Sequence, residues 1–295
     1  MIEFRRIPLD QLDFNTGQIP GLPPNPREWT DSEIKRLAKS MKGTPELTEA
    51  RGCIVVPHEG RCVVLGGNLR LAAAKFLKWP DIMCAVLPER NGLLQPEAAE
   101  IARKVLDRAD AACIGCGLGQ TSDVMPILRL FAKADCPVVW DADALNLLAK
   151  TDGIFPLKES DVITPHPGEA ARLLDCDVDE IAEDTLAAID RLHALCGCTV
   201  LLKGARTLIT DGMTTACNLH TSPALAKGGS GDVLAGIITA LLARQLEPLS
   251  SLEAAQYGAL IHGLAGIRAA RIRGENCTLP TDIVDCIRLD AEGLA

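Results

Sequence analysis

The sequence predicts an α/β protein, a mainly parallel sheet flanked by helices, preceded by a small α+β unit. Three observations carry that reading. From Gln95 onward, four short apolar runs, AACIGCGLG, CPVVWDAD, DVITPHPGE and TVLLKGA, each end in glycine, aspartate or His-Pro and pass into helical text, the alternation of a parallel sheet covered by helices. Before residue 90 that rhythm is missing and hairpin and helix text take its place. At 295 residues with 47% hydrophobic content, the chain can bury a substantial core in one large or two smaller domains. The expected division is 1–90 and 91–295.

In the front part, GLPPNPREW is a proline-rich loop, and DSEIKRLAKSMKG is an amphipathic helix with Asp31 or Ser32 as cap and Gly43 as stop. CIVVPHEGRCVVLGG gives two β-rich runs around a His-Glu-Gly turn, hence a hairpin. NLRLAAAKFLKW reads as a helix and DIMCAVLP as a strand. In the second part, TLITDGMTTACNL interrupts the parallel rhythm with a hairpin turning at Asp211-Gly212. Two long helices close the chain, 231–246 and 251 to about 272. In the first of them Val233, Leu234, Ile237, Ile238, Leu241 and Leu242 recur at helical spacing.

A net charge of −9 and a pI near 5.1 disfavour a non-specific polyanion binder, so nucleic acid is not an expected partner. The start has no basic segment followed by an apolar core, and no run reaches the length of a membrane span; a cytoplasmic protein is expected. Twelve cysteines scattered through apolar text read as buried thiols rather than a disulfide framework. Cys113-x-x-Cys116 and Cys196-x-Cys198 are the close pairs. Neither sits among other well-spaced Cys or His ligands, so a structural zinc is not expected.

Ligands of open parallel sheets bind beyond the carboxyl ends of the strands, and five clusters fall there. GCGLGQ, 115–120, lets a ligand approach bare backbone at Gly117, or is an ordinary turn. Asp141 and Asp143 in DADALN hold Mg2+ through water or cap the following helix. In TPHPGE, His166 lies between two prolines and Glu169, a further acid at this end of the sheet, opens the next helix. Lys203 in KGART offers a phosphate partner, or is a solvated turn lysine. Last, KGGSGDVLAG places Gly228, Gly229, Ser230 and Gly231 at a helix start, where free N–H groups and the positive dipole end suit phosphate oxygens. Asp232 follows in the first turn as a helix-start acid or a general base.

Taken together, GCGLG, DADALN, TPHPGE, LLKGART and GGSGDVLAG resemble the ADP- or ATP-dependent NAD(P)H-hydrate dehydratases of the ribokinase-like superfamily, over about residues 92–290. The resemblance implies a repair enzyme, a carbon–oxygen lyase that uses ADP or ATP, with Mg2+, to dehydrate the S form of hydrated NADH or NADPH. Asp232 would be catalytic. Gly117, His166 and Asp232 would contact the hydrate. Lys203, Gly204, Ala205, Arg206, Thr207 and Gly231 would line the nucleotide site, with the amides of 228–231 on the transferring phosphoryl group. The metal ligands themselves are left open, with Asp141 and Glu169 as the candidate carboxylates for a water-mediated Mg2+. Two departures stand out. Cys116 takes the place of the family's usual proline, and Thr221 and Ser222 replace its usual Gly-Asn pair.

The first 88 residues resemble the ParB-like N-terminal domain, a fold shared with sulfiredoxin, through Asn25–Arg27, Ser40-Met41 and GGNLRLAAAKFL. That resemblance implies a phosphate site at Gly66, Gly67 and Arg70. The family's glycine-serine-rich opening segment is absent, which predicts uncovered sheet edges, a homo-oligomer and weakened activity. The competing expectation is a ParB-like nucleotide sensor fused to a catalytically weak dehydratase domain.

Overall fold

The computed structural model describes residues 4–14, 34, 35, 38, 41, 53–58, 61–66, 81–86, 89, 90, 93, 94, 97–151, 156–244 and 246–287. The chain divides into two compact units, residues 1–105 with 121–127, and residues 106–120 with 128–295.

The first unit contains a five-stranded mixed sheet built from β1 (Phe4–Pro8), β2 (Leu12–Phe14), β3 (Cys53–His58), β4 (Arg61–Gly66) and β5 (Asp81–Val86), in the order β1-β5-β3-β4-β2. The hairpin expected at 53–67 is there, with β3 and β4 antiparallel and His58 opposite Arg61. β6 (Glu89–Arg90) and β7 (Leu93–Leu94) form a small antiparallel pair. In the helix expected over 31–43, Ile34, Lys35, Ala38 and Met41 are helical. Ala38 and Met41, three apart on one face, are buried. The helix expected over 68–79 lies outside the described residues, as do Gly67 and Arg70; Gly66 ends β4.

The second unit holds a six-stranded sheet of β8 (Ala112–Ile114), β9 (Val138–Trp140), β10 (Val162–Ile163), β11 (Thr199–Leu202), β12 (Thr207–Thr210) and β13 (Thr215–Asn218). Its order is β13-β12-β11-β10-β9-β8. The four runs that announce a parallel sheet in the sequence are β8 to β11, all parallel. β12 and β13 return antiparallel as the expected hairpin. Its turn is held by Asp211, whose carboxylate accepts from the N–H groups of Met213 and Thr214 at 3.0 and 2.8 Å.

Helices α1 (Ala98–Leu106), α2 (Met125–Ala132), α3 (Asp143–Leu148), α4 (Pro167–Leu174), α5 (Val178–Glu183), α6 (Thr185–Cys196), α7 (Ser230–Leu242), α8 (Ser251–Arg273) and α9 (Pro280–Asp285) complete the described elements. α7 ends four residues before the expected 246. Glu247 adopts φ 51° ahead of Pro248, a position where the proline ring disfavours helix. The core lies where α7 and α8 cover the sheet, with Val139, Val162, Leu201 and Ile209 against Leu234, Ile238, Ala255 and Ala259. α8 approaches closely because it is bare where it touches. A Cβ on Gly258 would fall 2.5 Å from Ile238 Cγ1, one on Gly263 2.0 Å from the His220 carbonyl oxygen, and one on Gly266 2.4 Å from Leu225 Cδ2.

At the amino ends of the strands a buried acid ties the sheet together. Asp161 accepts from the Val138 N–H at 2.9 Å and the Trp140 indole at 3.2 Å, and pairs with Lys158 at 3.2 Å. Lys158 also donates to the carbonyls of Ala134 and Cys136. Among the described residues no helix is long and apolar enough to cross a membrane.

Candidate active site

At the carboxyl ends of the parallel strands the ladder runs on past the regular strands and sets the site in register. Asp141 N–H donates to Ile114 O at 3.1 Å, Thr164 N–H to Trp140 O at 3.1 Å and Lys203 N–H to Pro165 O at 2.8 Å. Segments following four strands are thereby held at one edge of the sheet.

Asp141 is 1% exposed. Its Oδ1 accepts from Lys203 Nζ at 2.7 Å; its Oδ2 lies 3.9 Å from the Cys116 thiol. Lys203 Nζ also stands 3.7 Å from Glu169 Oε2, so one ammonium serves two acids. The loop from β8 passes directly over Asp141: Gly115 has φ 125°, and a Cβ there would sit 1.7 Å from the Asp141 carbonyl oxygen, so only glycine fits.

His166 is the N-cap of α4. Its Nδ1 accepts from the N–H groups of Gly168 and Glu169 at 3.0 and 3.3 Å, and its own N–H donates to Glu169 Oε2 at 2.8 Å. Glu169 is therefore a member of a capping box, with its other oxygen 3.3 Å from His166 Nε2. Both of its carboxylate oxygens face partners within the fold. Asp143 departs from the capping expectation. Ala142, at φ 49°, is the N-cap of α3, and Asp143 instead accepts from the Gly119 N–H at 3.0 Å and the Gln120 amide at 2.9 Å. It pins the glycine loop 115–120.

The glycine loop before α7 enters beside this ion pair. A Cβ on Gly231 would lie 3.5 Å from Lys203 Nζ and 3.7 Å from Asp141 Oδ2. Gly229, with φ 88°, is the N-cap. Among the described residues the N–H groups of Gly228, Gly229, Gly231 and Asp232 have no hydrogen-bond partner, whereas Ser230 N–H donates to Lys227 O at 3.1 Å. Ser230 is 2% exposed and turned inward, its Oγ 3.1 Å from His262 Nε2. It differs in this from its glycine neighbours. Lys227 Nζ donates to Asn276 O.

Asp232 reaches solvent at the mouth, and its carboxylate, the Asp141 carboxylate and the Cys116 thiol lie within 4.8 Å of one another. Partial desolvation pushes the Asp232 pKa up, Asp141 adds to this, and the Cys116 thiol and Lys203 oppose it. Cys116 in turn hydrogen-bonds Cys113, which holds the Cys116 thiol protonated well above the ordinary range and lowers Cys113. Burial drives His262 down to about 4. Gly204, Ala205 and Arg206 are exposed in the β11–β12 turn, where Thr207 Oγ1 donates to Gly204 O at 3.4 Å. Gly117, at φ 68°, faces open space. Ser222 caps a short 3-10 turn through the Ala224 N–H.

The structure thus brings together Asp141, Glu169, Lys203, Gly231, Asp232 and Cys116. Sequence reasoning did not assign Cys116 or the Ser230–His262 contact to the site; their partners are far away in the chain. A family model described as Carb_kinase, NAD(P)H-hydrate dehydratase, matches residues 62–289. The chain belongs to the NAD(P)H-hydrate dehydratase family. The match begins earlier than the expected residue 92 and includes β4 and β5. The chain is 33% identical over 260 residues to a bifunctional NAD(P)H-hydrate repair enzyme of Vibrio cholerae, covering 82% of this chain and 51% of that protein. With an ADP-dependent (S)-NAD(P)H-hydrate dehydratase of Neisseria meningitidis it shares 41% over 180 residues, 56% of this chain and 60% of the other. It spans about half the length of the Vibrio relative. Among solved structures, an ADP/ATP-dependent NAD(P)H-hydrate dehydratase from Bacillus subtilis, co-crystallised with ATP and Mg2+, aligns with TM-score 0.57 and 25% identity over 75% of this chain and 76% of that one. A ribokinase-like superfamily protein from Enterococcus faecalis aligns over 94% of both chains, with TM-score 0.62 and 23% identity. The hydrate dehydratase domain accordingly has the ribokinase-like fold.

Proposed function

We propose that this hydrate dehydratase restores NADH or NADPH from the S hydrate with ADP or ATP as phosphoryl donor. The observation that carries the reading is the pairing of open N–H groups at the start of α7 with a raised-pKa carboxylate, Asp232, one residue further on. Asp232 takes the proton of the hydrate hydroxyl as its oxygen attacks the terminal phosphoryl group. The amides of Gly228, Gly229 and Gly231 hold the equatorial oxygens, a type of stabilisation that supplies several kcal/mol. Phosphate is a better leaving group than hydroxide: the ring nitrogen lone pair expels it, and loss of a ring proton restores the double bond.

The hydrate is placed against Gly117 and His166, and the nucleotide along Lys203 to Thr207. When bound, Mg2+ would neutralise phosphate charge. Of the two expected carboxylates, Asp141 fits it through Oδ2, which Lys203 leaves free; both oxygens of Glu169 are engaged by the α4 cap and Lys203. Residues 1–90 and 91–295 are read as separate domains. A cytoplasmic setting agrees with the free thiols of Cys113, Cys116, Cys136, Cys176, Cys196, Cys198, Cys217, Cys277 and Cys286. A homo-oligomer agrees with β13 as an edge among the described strands, flanked by exposed Met213 and Leu219.

The test is recovery of reduced-nicotinamide absorbance from hydrated NADH with ADP or ATP, in the wild type and Asp232→Asn. Absence of recovery with either donor overturns the activity. Equal rates in both proteins remove Asp232 from the mechanism.

A further inference from the structure

One thiol and two carboxylates converge at the carboxyl end of β8 and β9 from three separate elements. Cys116 lies on the loop after β8, Asp141 follows β9, and Asp232 lies in the first turn of α7. The Cys116 sulfur and the two carboxylates are mutually within 4.8 Å. We propose that Cys116, Asp141 and Asp232, with a water as fourth ligand, form a binding site for a borderline divalent transition-metal ion of the Zn2+ class, and that its occupation silences Asp232.

Charge and donor type select such an ion. Lys203 already neutralises Asp141 through Oδ1 and is shared with Glu169. Asp141 Oδ2 and Asp232 are left facing each other across Cys116 with no second cation among the described residues of the cluster. Mg2+ prefers six oxygen ligands and retains its water, so it gains nothing from sulfur. Zn2+ binds thiolate sulfur and carboxylate oxygen in a tetrahedron. Bond lengths of about 2.0–2.3 Å require donors about 3.3–3.8 Å apart, so the cluster must close by about an ångström. Asp141 is fixed by burial and by Lys203, whereas Cys116 and Asp232 are exposed and can swing inward. Their exposure also gives the ion a route in. No step changes an oxidation state; the Cys116 thiol proton leaves to solvent as the ion binds.

Binding itself does not depend on the dehydratase reading, whereas the silencing rests on it. Full-length protein, stripped with chelator and kept reduced, is titrated with Co2+ as a spectroscopic stand-in and then with Zn2+. One equivalent of Co2+ should give a thiolate-to-cobalt charge-transfer band that Zn2+ abolishes. Cys116→Ser and Asp232→Asn should each weaken binding by at least about tenfold, since loss of even an outer-shell partner typically has that effect. Cys277→Ser, at a remote exposed thiol, should leave it unchanged. Far-UV circular dichroism confirms folding of each variant. No thiolate band, or unchanged affinity in a folded Cys116→Ser, overturns the site. In the hydrate assay, stoichiometric Zn2+ should stop turnover and chelator should restore it. Turnover that continues with the site filled overturns the silencing, while a protein inactive even without zinc refutes the dehydratase reading and leaves the metal titration to stand alone.

Discussion

Lys203 and Asp141 meet at 2.7 Å across the ends of β11 and β9, two strands that are not neighbours, since β10 lies between them. β10 is two residues long, and its continuation turns aside at Pro165 to accept the Lys203 N–H. The ion pair therefore closes the site over the shortest strand of the sheet.

Removing one member of this pair strands the other. Lys203→Met should destabilise the protein by about 3 kcal/mol, the usual scale for leaving a buried charge without its partner. Asp141→Asn alone should lose less, and the double variant K203M/D141N should recover most of the deficit. Urea denaturation of the four proteins gives the coupling, and strictly additive losses would show that the pair is not energetically linked.

Asp232 separates catalysis from stability. Its folded pKa is raised, so the fold binds its proton more tightly than the unfolded chain does. That contribution favours folding at low pH and is lost as pH rises through the folded value. At neutral pH the ionised group opposes folding, and Asp232→Asn should leave stability unchanged or slightly higher. Turnover should nevertheless fall by about 10²–10⁴-fold. The acid limb of kcat/KM in the wild type should lie above the pH range of an ordinary aspartate, and a limb at or below that range would contradict the assigned base.

His262 gives the opposite pH dependence. With its pKa lowered from 6.5 to about 4, the unfolded chain takes up a proton that the fold resists. Stability is full above pH 6.5 and falls as pH drops towards 4, by at most about 3 kcal/mol for this group. His262→Gln should flatten that slope in chemical denaturation between pH 7.5 and 4.5. An identical slope would mean that the imidazole takes up its proton as readily in the fold as in the unfolded chain.

Asp161 works at the far end of the strands. Asp161→Ala leaves the Val138 N–H and the Trp140 indole unsatisfied and removes a partner of Lys158. A loss of about 2–4 kcal/mol is expected from two orphaned buried donors. Rate per folded molecule should stay the same. A drop in kcat with unaltered melting behaviour would reverse this assignment.

Much of the fold was legible because each parallel strand is short, apolar and closed by a residue that breaks regular structure. The runs ending at Gly115, Asp141, Thr164 and Lys203 appear as β8 to β11 with their polar residues at one edge. What the sequence concealed are contacts between distant positions. Cys116 meets Asp232 across more than a hundred residues, and His262 lies in an apolar helix where nothing local announces Ser230 as its partner. Asp143 reads as a cap because capping is the commonest use of an aspartate there. Only the loop folding back over it reveals the Gly119 and Gln120 contacts. Nothing local to Lys158 and Asp161 announces their contacts with Ala134, Cys136, Val138 and Trp140.

Three bare positions on α8, Gly258, Gly263 and Gly266, are pressed against Ile238, the His220 carbonyl and Leu225. Such seating fixes the long helix in azimuth, for any rotation about its axis would swing a side chain into one of those notches. Ile238 belongs to α7, so the glycine loop that heads that helix inherits its orientation from a contact two turns away. Sequence drift along α8 is thereby channelled to its outward flank, and a single added methyl group at Gly258 would press on Ile238 and shift α7 with the glycine loop at its head.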